Sequence, residues 1–225
     1  MSSIYNNLQS VRERIAAAAT RAGRSPSEVT LLAVSKTFSA ELVSEALAAG
    51  QIEFGENRVQ ELAEKTPLLP DTCRWHLIGH LQKNKVRQAL QFASMIQSVD
   101  SLSLLQRINR IAGEMELAPE ILLEVNISGE DSKFGVSPEE VEPLLEAVRE
   151  GPARCLGLMT MAPLQASEIE LAAVFAGLRQ LRERLAANTG IALPELSMGM
   201  SGDFEIAIAE GATIVRLGSA IFGGR

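Results

Sequence analysis

The sequence predicts an α/β fold, a single (β/α)8 barrel of the TIM type with one extra helix at its N-terminus. Short apolar β-rich runs alternate regularly with longer helical stretches, which is the pattern of a parallel sheet with crossover helices. Eight such runs occur, and eight strands close a barrel of this type. The chain has 225 residues, 46% of them hydrophobic, and no linker, repeat or low-complexity tract divides it. One domain over residues 1–225 is therefore predicted.

The elements follow one another in a regular order. The leading helix covers about residues 3–22, since its apolar residues recur at helical spacing, at Ile4, Leu8, Val11 and Ile15. The strands are predicted near residues 29–35, 51–54, 74–78, 95–98, 120–127, 154–159, 195–198 and 213–217. The remaining helices are predicted near residues 40–49, 57–66, 83–92, 101–115, 138–149, 168–188 and 203–210. Glycines that typically end a helix follow several of them, at Gly50, Gly151, Gly190 and Gly211.

Two similar strings receive different predictions. The string SPEE at residues 137–140 predicts a helix start with a capping box, and Pro143 is then expected to kink that helix. The string SPSE at residues 25–28 precedes a strand, so we expect only a turn there.

Charge and composition exclude several classes of function. The formal net charge is −7 and the isoelectric point is about 5.0, which argues against a nucleic-acid binder with a basic face. No run approaches the ~18 apolar residues of a membrane span, and the first residues lack the apolar core of a signal peptide. Two cysteines, Cys73 and Cys155, are too few for a disulfide framework or a cysteine zinc site. We therefore expect a cytoplasmic protein with no metal, nucleic acid or membrane among its partners.

The run LLAVSK at residues 31–36 ends the first predicted strand on a lysine. In a (β/α)8 barrel the chemistry lies at the carboxyl ends of the strands. An amine held there and facing an apolar pocket is more nucleophilic, because desolvation disfavours its ammonium form. Such an amine attacks an aldehyde and forms a Schiff base. The alternative is that Lys36 is an ordinary solvated residue at a strand end.

Two turns of small residues follow the seventh and eighth predicted strands, where barrels of this type bind phosphate. The first, at residues 198–203, contains Ser201 and Gly202 and leads into a short helix; the second, at residues 216–219, contains Gly218 and Ser219. Backbone N–H groups in such turns approach an oxyanion closely. Either turn alone carries little weight, since Gly and Ser are common in turns. Together with Lys36 they predict a site for a phosphorylated aldehyde.

A family resemblance is carried by the strings AVSKTF, FGENRVQE, WHLIGHLQKNK, FGV, GLMTMAP, LSMGMSGDFEIAIAEGAT and VRLGSAIFG. These strings run from about Leu31 to Gly223 and are similar to those of the YggS/PROSC family of pyridoxal 5′-phosphate (PLP) binding and homeostasis proteins. The resemblance implies a barrel like the N-terminal domain of alanine racemase. It also implies that Lys36 holds PLP as a Schiff base.

The same resemblance assigns further residues to the cofactor. It implies a phosphate cradle at Ser201, Gly202, Gly218 and Ser219. Arg216 matches an arginine beside the cofactor, near its pyridine nitrogen or its phosphate, and Asn57 matches a residue close to the ring. Proteins of the family are described as regulating PLP supply and vitamin B6 and amino-acid balance, usually as monomers without an established catalytic reaction.

Structural roles remain open for several of these residues. Arg216 is alternatively paired with a carboxylate at the barrel rim, and Asn57 is alternatively a helix cap. Met159, at the end of the sixth strand, is expected either to contact the cofactor ring or to pack in the core. His76 and His80 are four residues apart, but the strand prediction separates them onto two elements, so no metal site is expected.

Two classes of function fit these residues. A carrier binds PLP reversibly, limits free aldehyde and delivers the cofactor to PLP-dependent apo-enzymes. An enzyme of this fold is a small amino-acid racemase or decarboxylase that uses the same Lys36. A two-base racemase needs a second acid or base on the other face of the cofactor, and enzymes that share this resemblance take it from a tyrosine of an added β-domain.

The single tyrosine of this chain is Tyr5, in the leading helix, and only seven residues follow Gly218. We therefore expect a monomeric carrier with no catalytic residue to assign. A PLP-free Schiff-base aldolase that acts on a sugar phosphate is a third reading, which does not explain the family strings.

Overall fold

The computed structural model describes residues 2–130, 134–163 and 165–224. Eight parallel strands follow one another around a closed barrel in the order of the sequence, and β1 pairs with β8. The strands are β1 Thr30–Val34, β2 Glu53–Glu56, β3 Arg74–Leu77, β4 Met95–Val99, β5 Glu120–Glu124, β6 Arg154–Met159, β7 Glu195–Ser197 and β8 Ile214–Leu217. The predicted (β/α)8 barrel is confirmed.

Helices surround the barrel and connect its strands. They are α1 Ser3–Arg21, α2 Ala40–Ala48, α3 Val59–Lys65, α4 Val86–Phe92, α5 Leu102–Glu114, α6 Val141–Val148, α7 Glu168–Thr189, α8 Phe204–Ala209 and α9 Ser219–Phe222. The extra helix α1 packs against α2, α8 and α9, and its predicted apolar stripe is buried. Within the described ranges, no helix combines the length and the apolar character needed to cross a membrane.

Two apolar clusters form the core. The larger cluster fills the space between the barrel and its helices, where Phe54 and Trp75 pack at 5.5 Å between ring centroids. The smaller cluster lies inside the barrel and consists of Leu32, Met95, Leu122, Met159 and Ile214. Polar side chains share this inner face, because strand pairing places Arg216 beside Leu32, His76 beside Met95 and Ser197 beside Ile214. The interior of the barrel is therefore partly polar.

The two SPxE strings fold differently from their predictions. Helix α6 begins at Val141, after a turn in which the Ser137 N–H donates to the Glu140 carboxylate at 2.9 Å. The expected kink at Pro143 was wrong, because Pro143 lies in the first turn, where its missing N–H has no helical partner to lose. The string at residues 25–28 was predicted as a turn but forms the one-turn 3-10 helix Pro26–Glu28, with both bonds of a capping box.

Candidate functional site

The carboxyl ends of the strands surround a pocket of about 540 Å³. Its walls contain residues from the turns that follow the first, second, third, seventh and eighth strands, and Glu124 from the end of β5. The lining includes seven of the eight residues predicted to bind a cofactor, namely Lys36, Asn57, Ser201, Gly202, Arg216, Gly218 and Ser219. The structure thus brings together residues from the two ends of the chain, as the barrel predicts.

Met159 is the predicted site residue that does not line this pocket. It is 1% exposed and belongs to the apolar cluster inside the barrel. Met161, two residues later and 38% exposed, lines the pocket instead. Of the two roles expected for Met159, the structure shows core packing.

A buried polar cluster holds the backbone just before Lys36. The Ser35 hydroxyl donates to Glu56 Oε1 at 2.7 Å, and Lys65 Nζ donates to the same oxygen at 2.6 Å. Lys65 Nζ also donates to the Ser35 carbonyl oxygen at 2.8 Å. Burial raises the pKa of the Glu56 carboxyl, and the bonds from Lys65 and Ser35 oppose that effect. These contacts tie the end of β1 to the end of β2 and to α3, so the position of Lys36 is well defined.

The residue after Lys36 has an unusual backbone conformation. Thr37 has a φ angle of 67°, in the left-handed region that β-branched residues rarely adopt. Its N–H donates to the Glu61 carboxylate at 2.7 Å, which holds the turn in place. Such strain typically persists at functional sites, where the surrounding structure fixes it.

Replacing Thr37 with glycine is expected to stabilise the cofactor-free protein by about 1 kcal/mol, because the left-handed conformation costs a residue with a Cβ roughly 1–2 kcal/mol. Urea unfolding of both proteins measures the change. Thr66→Gly is the matched control: Thr66 has an ordinary φ of −52°, and its hydroxyl bonds to the Leu62 carbonyl oxygen, so this variant should be less stable. A destabilised Thr37→Gly variant would show that the turn carries no strain.

Asn57 follows β2 directly and lines the pocket. The N-cap of α3 is the next residue, Arg58, so the alternative of a capping role for Asn57 is not what the structure shows. Gly79, which follows β3, lies directly against the backbone of Asn57. A Cβ at Gly79 would come within 2.3 Å of the Asn57 carbonyl oxygen. Only glycine permits this approach. Sequence reasoning missed Gly79, although a glycine directly after a strand was its signal.

The two turns of small residues form an open wall of the pocket. A Cβ at Gly202 would meet no atom within 4 Å, whereas one at Gly218 would lie 3.2 Å from the Val34 carbonyl oxygen. The turns approach each other where the Ala220 N–H donates to Ser201 Oγ at 3.5 Å. The buried Asp203 carboxylate accepts the Met200 N–H and fixes the first turn. The arrangement leaves hydroxyls and space for an oxyanion.

Arg216 lies on the inner face of β8 and is buried. Its Nη1 donates to Ser197 Oγ at 2.7 Å and its Nη2 to the Thr160 carbonyl oxygen at 2.8 Å. Burial lowers the pKa of the guanidinium to about 10, and the charges of Glu124 and Asp203 oppose this shift, so Arg216 is charged at neutral pH. Its direct partners are neutral oxygens, which is not the carboxylate pair considered from the sequence.

Three further polar residues near the pocket, Glu124, His80 and Asp100, had no predicted cofactor role. Glu124, at the end of β5, is 3% exposed, and burial raises its pKa to about 7; the charge of Asp100 adds to the shift and that of Arg216 opposes it. His80 lines the pocket mouth, bonds through Nδ1 to Asp100 Oδ2 at 2.7 Å and stacks on Phe134. Their positions after β3, β4 and β5 were the available signal.

A second depression, of about 890 Å³, lies between the segments that follow β5 and β6. Its described lining contains two glutamates, Glu130 and Glu170, and none of the eight residues predicted to bind a cofactor. Across the described residues, no three His, Cys, Asp or Glu side chains are grouped to hold a metal ion. The pocket around Lys36 is therefore the site to consider.

Comparisons with known proteins agree with this geometry. A pyridoxal phosphate homeostasis protein of Pseudomonas aeruginosa is 47% identical over 229 residues, covering 100% of this chain and 97% of the relative. One of Aquifex aeolicus is 43% identical over 220 residues, covering 97% and 96%. The structure of PipY of Synechococcus elongatus PCC7942 with PLP bound has a TM-score of 0.83 and 41% identity, covering 95% of this chain and 100% of that one.

The family comparison places these matches in a wider group. Residues 6–225 match the family described as alanine racemase, N-terminal domain, which agrees with the observed barrel. The chain therefore belongs to the alanine racemase N-terminal domain family and, within it, to the family of pyridoxal phosphate homeostasis proteins.

Proposed function

We propose that this protein binds PLP in the pocket around Lys36 and acts in PLP homeostasis, holding the cofactor as a Schiff base. One observation carries the proposal: Lys36, two open turns of small residues and the charged Arg216 line a single pocket. The names of the relatives and the PLP-bound structure of PipY support the same conclusion.

The residues present fit this cofactor. The space around Gly202 admits a group that a side chain would otherwise fill, and Ser201 and Ser219 offer hydroxyls to a phosphate. When bound, PLP supplies an aldehyde that captures amines reversibly and a ring that withdraws electrons. The amine of Lys36 condenses with the aldehyde carbon, forming a C=N bond and releasing one water. Asn57 lines the same pocket and is proposed to contact the ring.

The proposed carrier role is supported by the accessibility of Lys36. Lys36 is only partly buried, so water and competing amines reach the C=N bond and can release the cofactor. We therefore propose delivery of PLP to PLP-dependent apo-enzymes by a monomeric, cytoplasmic protein. A small racemase or decarboxylase is the alternative, and the His80–Asp100 pair at the pocket mouth is the observation that favours it.

Borohydride reduction of the PLP-loaded protein tests the attachment point. Reduction fixes the C=N bond, and peptide mass mapping is expected to place the pyridoxyl group on Lys36. Lys36→Ala should carry no label and should lose the visible absorption band of the bound cofactor. Lys83→Ala, a change in the short helix Lys83–Lys85 outside the pocket lining, is the control and should label as the wild type does. Label on Lys83 or Lys85 would overturn the assignment.

A double change, Ser201→Ala with Ser219→Ala, is expected to weaken PLP binding at least a hundredfold, on the order of 3 kcal/mol or more, and pyridoxal binding little. Each hydroxyl is proposed to donate to the charged phosphate, and a hydrogen bond to a charged group contributes about 1.5–3 kcal/mol. Fluorescence titration with both ligands measures the two affinities, and pyridoxal, which lacks the phosphate, serves as the internal control. An equal loss for both ligands would mean that these serines serve only the fold.

A further inference from the structure

A continuous chain of hydrogen bonds crosses the interior of the barrel from Arg216 to Glu53. Its inner members are buried: Ser197 and Gln97 are 0% exposed and His76 is 3% exposed. The four bonds are Arg216 Nη1–Ser197 Oγ at 2.7 Å, Ser197 Oγ–Gln97 Oε1 at 2.6 Å, Gln97 Nε2–His76 Nδ1 at 2.8 Å and His76 Nε2–Glu53 Oε2 at 2.9 Å. It joins the pocket end of β8 to the opposite end of β2.

The two ends of this chain determine its direction. A guanidinium only donates hydrogen bonds and an ionised carboxylate only accepts them. Ser197 Oγ therefore accepts a hydrogen bond from Arg216 and donates one to Gln97 Oε1. The Gln97 amide nitrogen then donates to His76 Nδ1, which must be unprotonated, and the His76 proton lies on Nε2, facing Glu53. Each group donates to the next, from Arg216 to Glu53.

We infer that Ser197, Gln97, His76 and Glu53 are positioning residues that set the orientation of the Arg216 guanidinium toward the cofactor pocket. The cofactor part of this inference rests on the proposed function; the hydrogen-bond chain does not.

The chain works as a unit because each bond depends on its neighbours. Arg216 is held at two points, by Ser197 through Nη1 and by the Thr160 carbonyl oxygen through Nη2, and this fixes the plane of the guanidinium. A proton on His76 Nδ1 would face the amide nitrogen of Gln97, and the amide would have to turn over. Ser197 would then meet two donors and its own proton would lose its acceptor. A buried polar group left unpaired in this way is costly, so the neutral Nε2–H form of His76 is required.

The first test needs no cofactor. The chain has two histidines, His76 and His80, so ¹⁵N-histidine labelling gives few signals, and those of His76 are identified as the ones that remain in His80→Asn. Long-range ¹H–¹⁵N spectra of the cofactor-free wild type are expected to show a protonated Nε2 and an unprotonated Nδ1 for His76. A protonated Nδ1, alone or together with Nε2, would overturn the inferred chain whether or not the protein binds PLP.

The second test measures the effect on the pocket. Ser197→Ala removes the acceptor of Arg216 Nη1, so the guanidinium is held at one point only and is no longer oriented toward the pocket. We expect PLP binding to weaken about tenfold, the size of one hydrogen bond that a misoriented charged group fails to make to the ligand. It should also shift the absorption maximum of the bound cofactor, which a merely structural change would leave in place. Ser197→Thr keeps the hydroxyl and should restore both properties. Thr213→Ala, which removes a part-buried hydroxyl that donates to the Glu195 carboxylate where β7 and β8 begin, at the opposite end of the barrel from the pocket, is the matched control.

The outcomes separate the two proposals. Failure of the wild type to bind PLP would reject the proposed function, while the His76 signals would still decide the chain. Normal PLP affinity and an unshifted spectrum in Ser197→Ala would reject the positioning role. A spectrum that shifts equally in Thr213→Ala would reject it as well, because the effect would then not depend on Arg216.

Discussion

Incubation of the PLP-loaded protein with L-alanine in deuterated water leaves the α-proton in place over times in which a racemase would exchange it completely. Typical enzymatic turnover is on the order of 1 s⁻¹ or faster, and we expect exchange to be slower by several orders of magnitude. NMR of the α-proton measures the rate directly. The amino acid is still expected to react with the bound cofactor, because displacement of Lys36 needs only an accessible C=N bond.

We expect slow exchange because removal of the α-proton needs a positioned base and an electron sink. The described pocket lining contains no tyrosine, and Tyr5 lies in α1. The family resemblance places Arg216 near the pyridine nitrogen or the phosphate of the cofactor. Beside the nitrogen, a guanidinium has no proton to give up, so the ring would accept electrons poorly. Lys36 is the base expected on its own face of the cofactor.

The His80–Asp100 pair could supply a base for α-proton exchange. His80→Asn is therefore the informative variant, since a histidine oriented by a carboxylate is a common general base. Exchange near 1 s⁻¹ in the wild type that is lost in His80→Asn would make the protein a racemase-like enzyme and would overturn the carrier proposal. Equal, very slow exchange in both proteins is the expected result.

Glu124→Gln is expected to stabilise the cofactor-free protein at pH 8 and to change its stability little at pH 5. Burial raises the pKa of Glu124 from the ordinary 4.5 to about 7. Between these values the unfolded chain has lost the proton and the folded protein still holds it. The contribution of Glu124 to stability is thus fully present below pH 4.5 and is lost as the pH rises through about 7.

The difference between the ordinary pKa of 4.5 and the pKa of about 7 in the folded protein corresponds to roughly 3 kcal/mol of stability. A neutral glutamine does not lose this stability at high pH. Urea unfolding at both pH values measures the difference between the variant and the wild type. Glu45→Gln, at an exposed position in α2, is the control and should change stability little at either pH. A Glu124→Gln variant that is no more stable at pH 8 than the wild type would show that Glu124 is already ionised without penalty.

The sequence was sufficient to predict the barrel and seven of the residues that line the pocket. Lys36 and the turns at Ser201 and Ser219 were readable because function in this fold lies at strand ends, whose positions follow from the alternation of elements. Met159 and Met161 show the limit of that reasoning. They lie two residues apart at the end of one strand, and only the register of the closed barrel decides which of them reaches the pocket.

The polar residues inside the barrel were harder to predict for a physical reason. Parallel strands buried on both faces read as continuous apolar runs, so their sequence does not show which residues point inward. Gln97 and Ser197 interrupt two such runs, and this was the available signal. The role of these two residues depends on their hydrogen bonds with His76 and Arg216, which lie on other strands. Contacts between distant segments are not visible in a single sequence. The same holds for the pair of Glu56 and Lys65 beside Lys36.

The pairing of β1 with β8 links cofactor capture to the completion of folding. Lys36 follows the first strand, Gly218 and Ser219 follow the last, and the backbone positions of Leu32 and Arg216 become neighbours only when these two strands pair. A partly folded chain therefore has the amine without the second turn that completes the proposed phosphate site. Contacts between such distant segments form slowly, because the entropy of closing a long loop is lost before any contact compensates for it. In the proposed function, a ligand that binds only the closed barrel shifts the folding equilibrium toward it, so the supply of cofactor acts directly on how much of the newly made chain survives as folded protein.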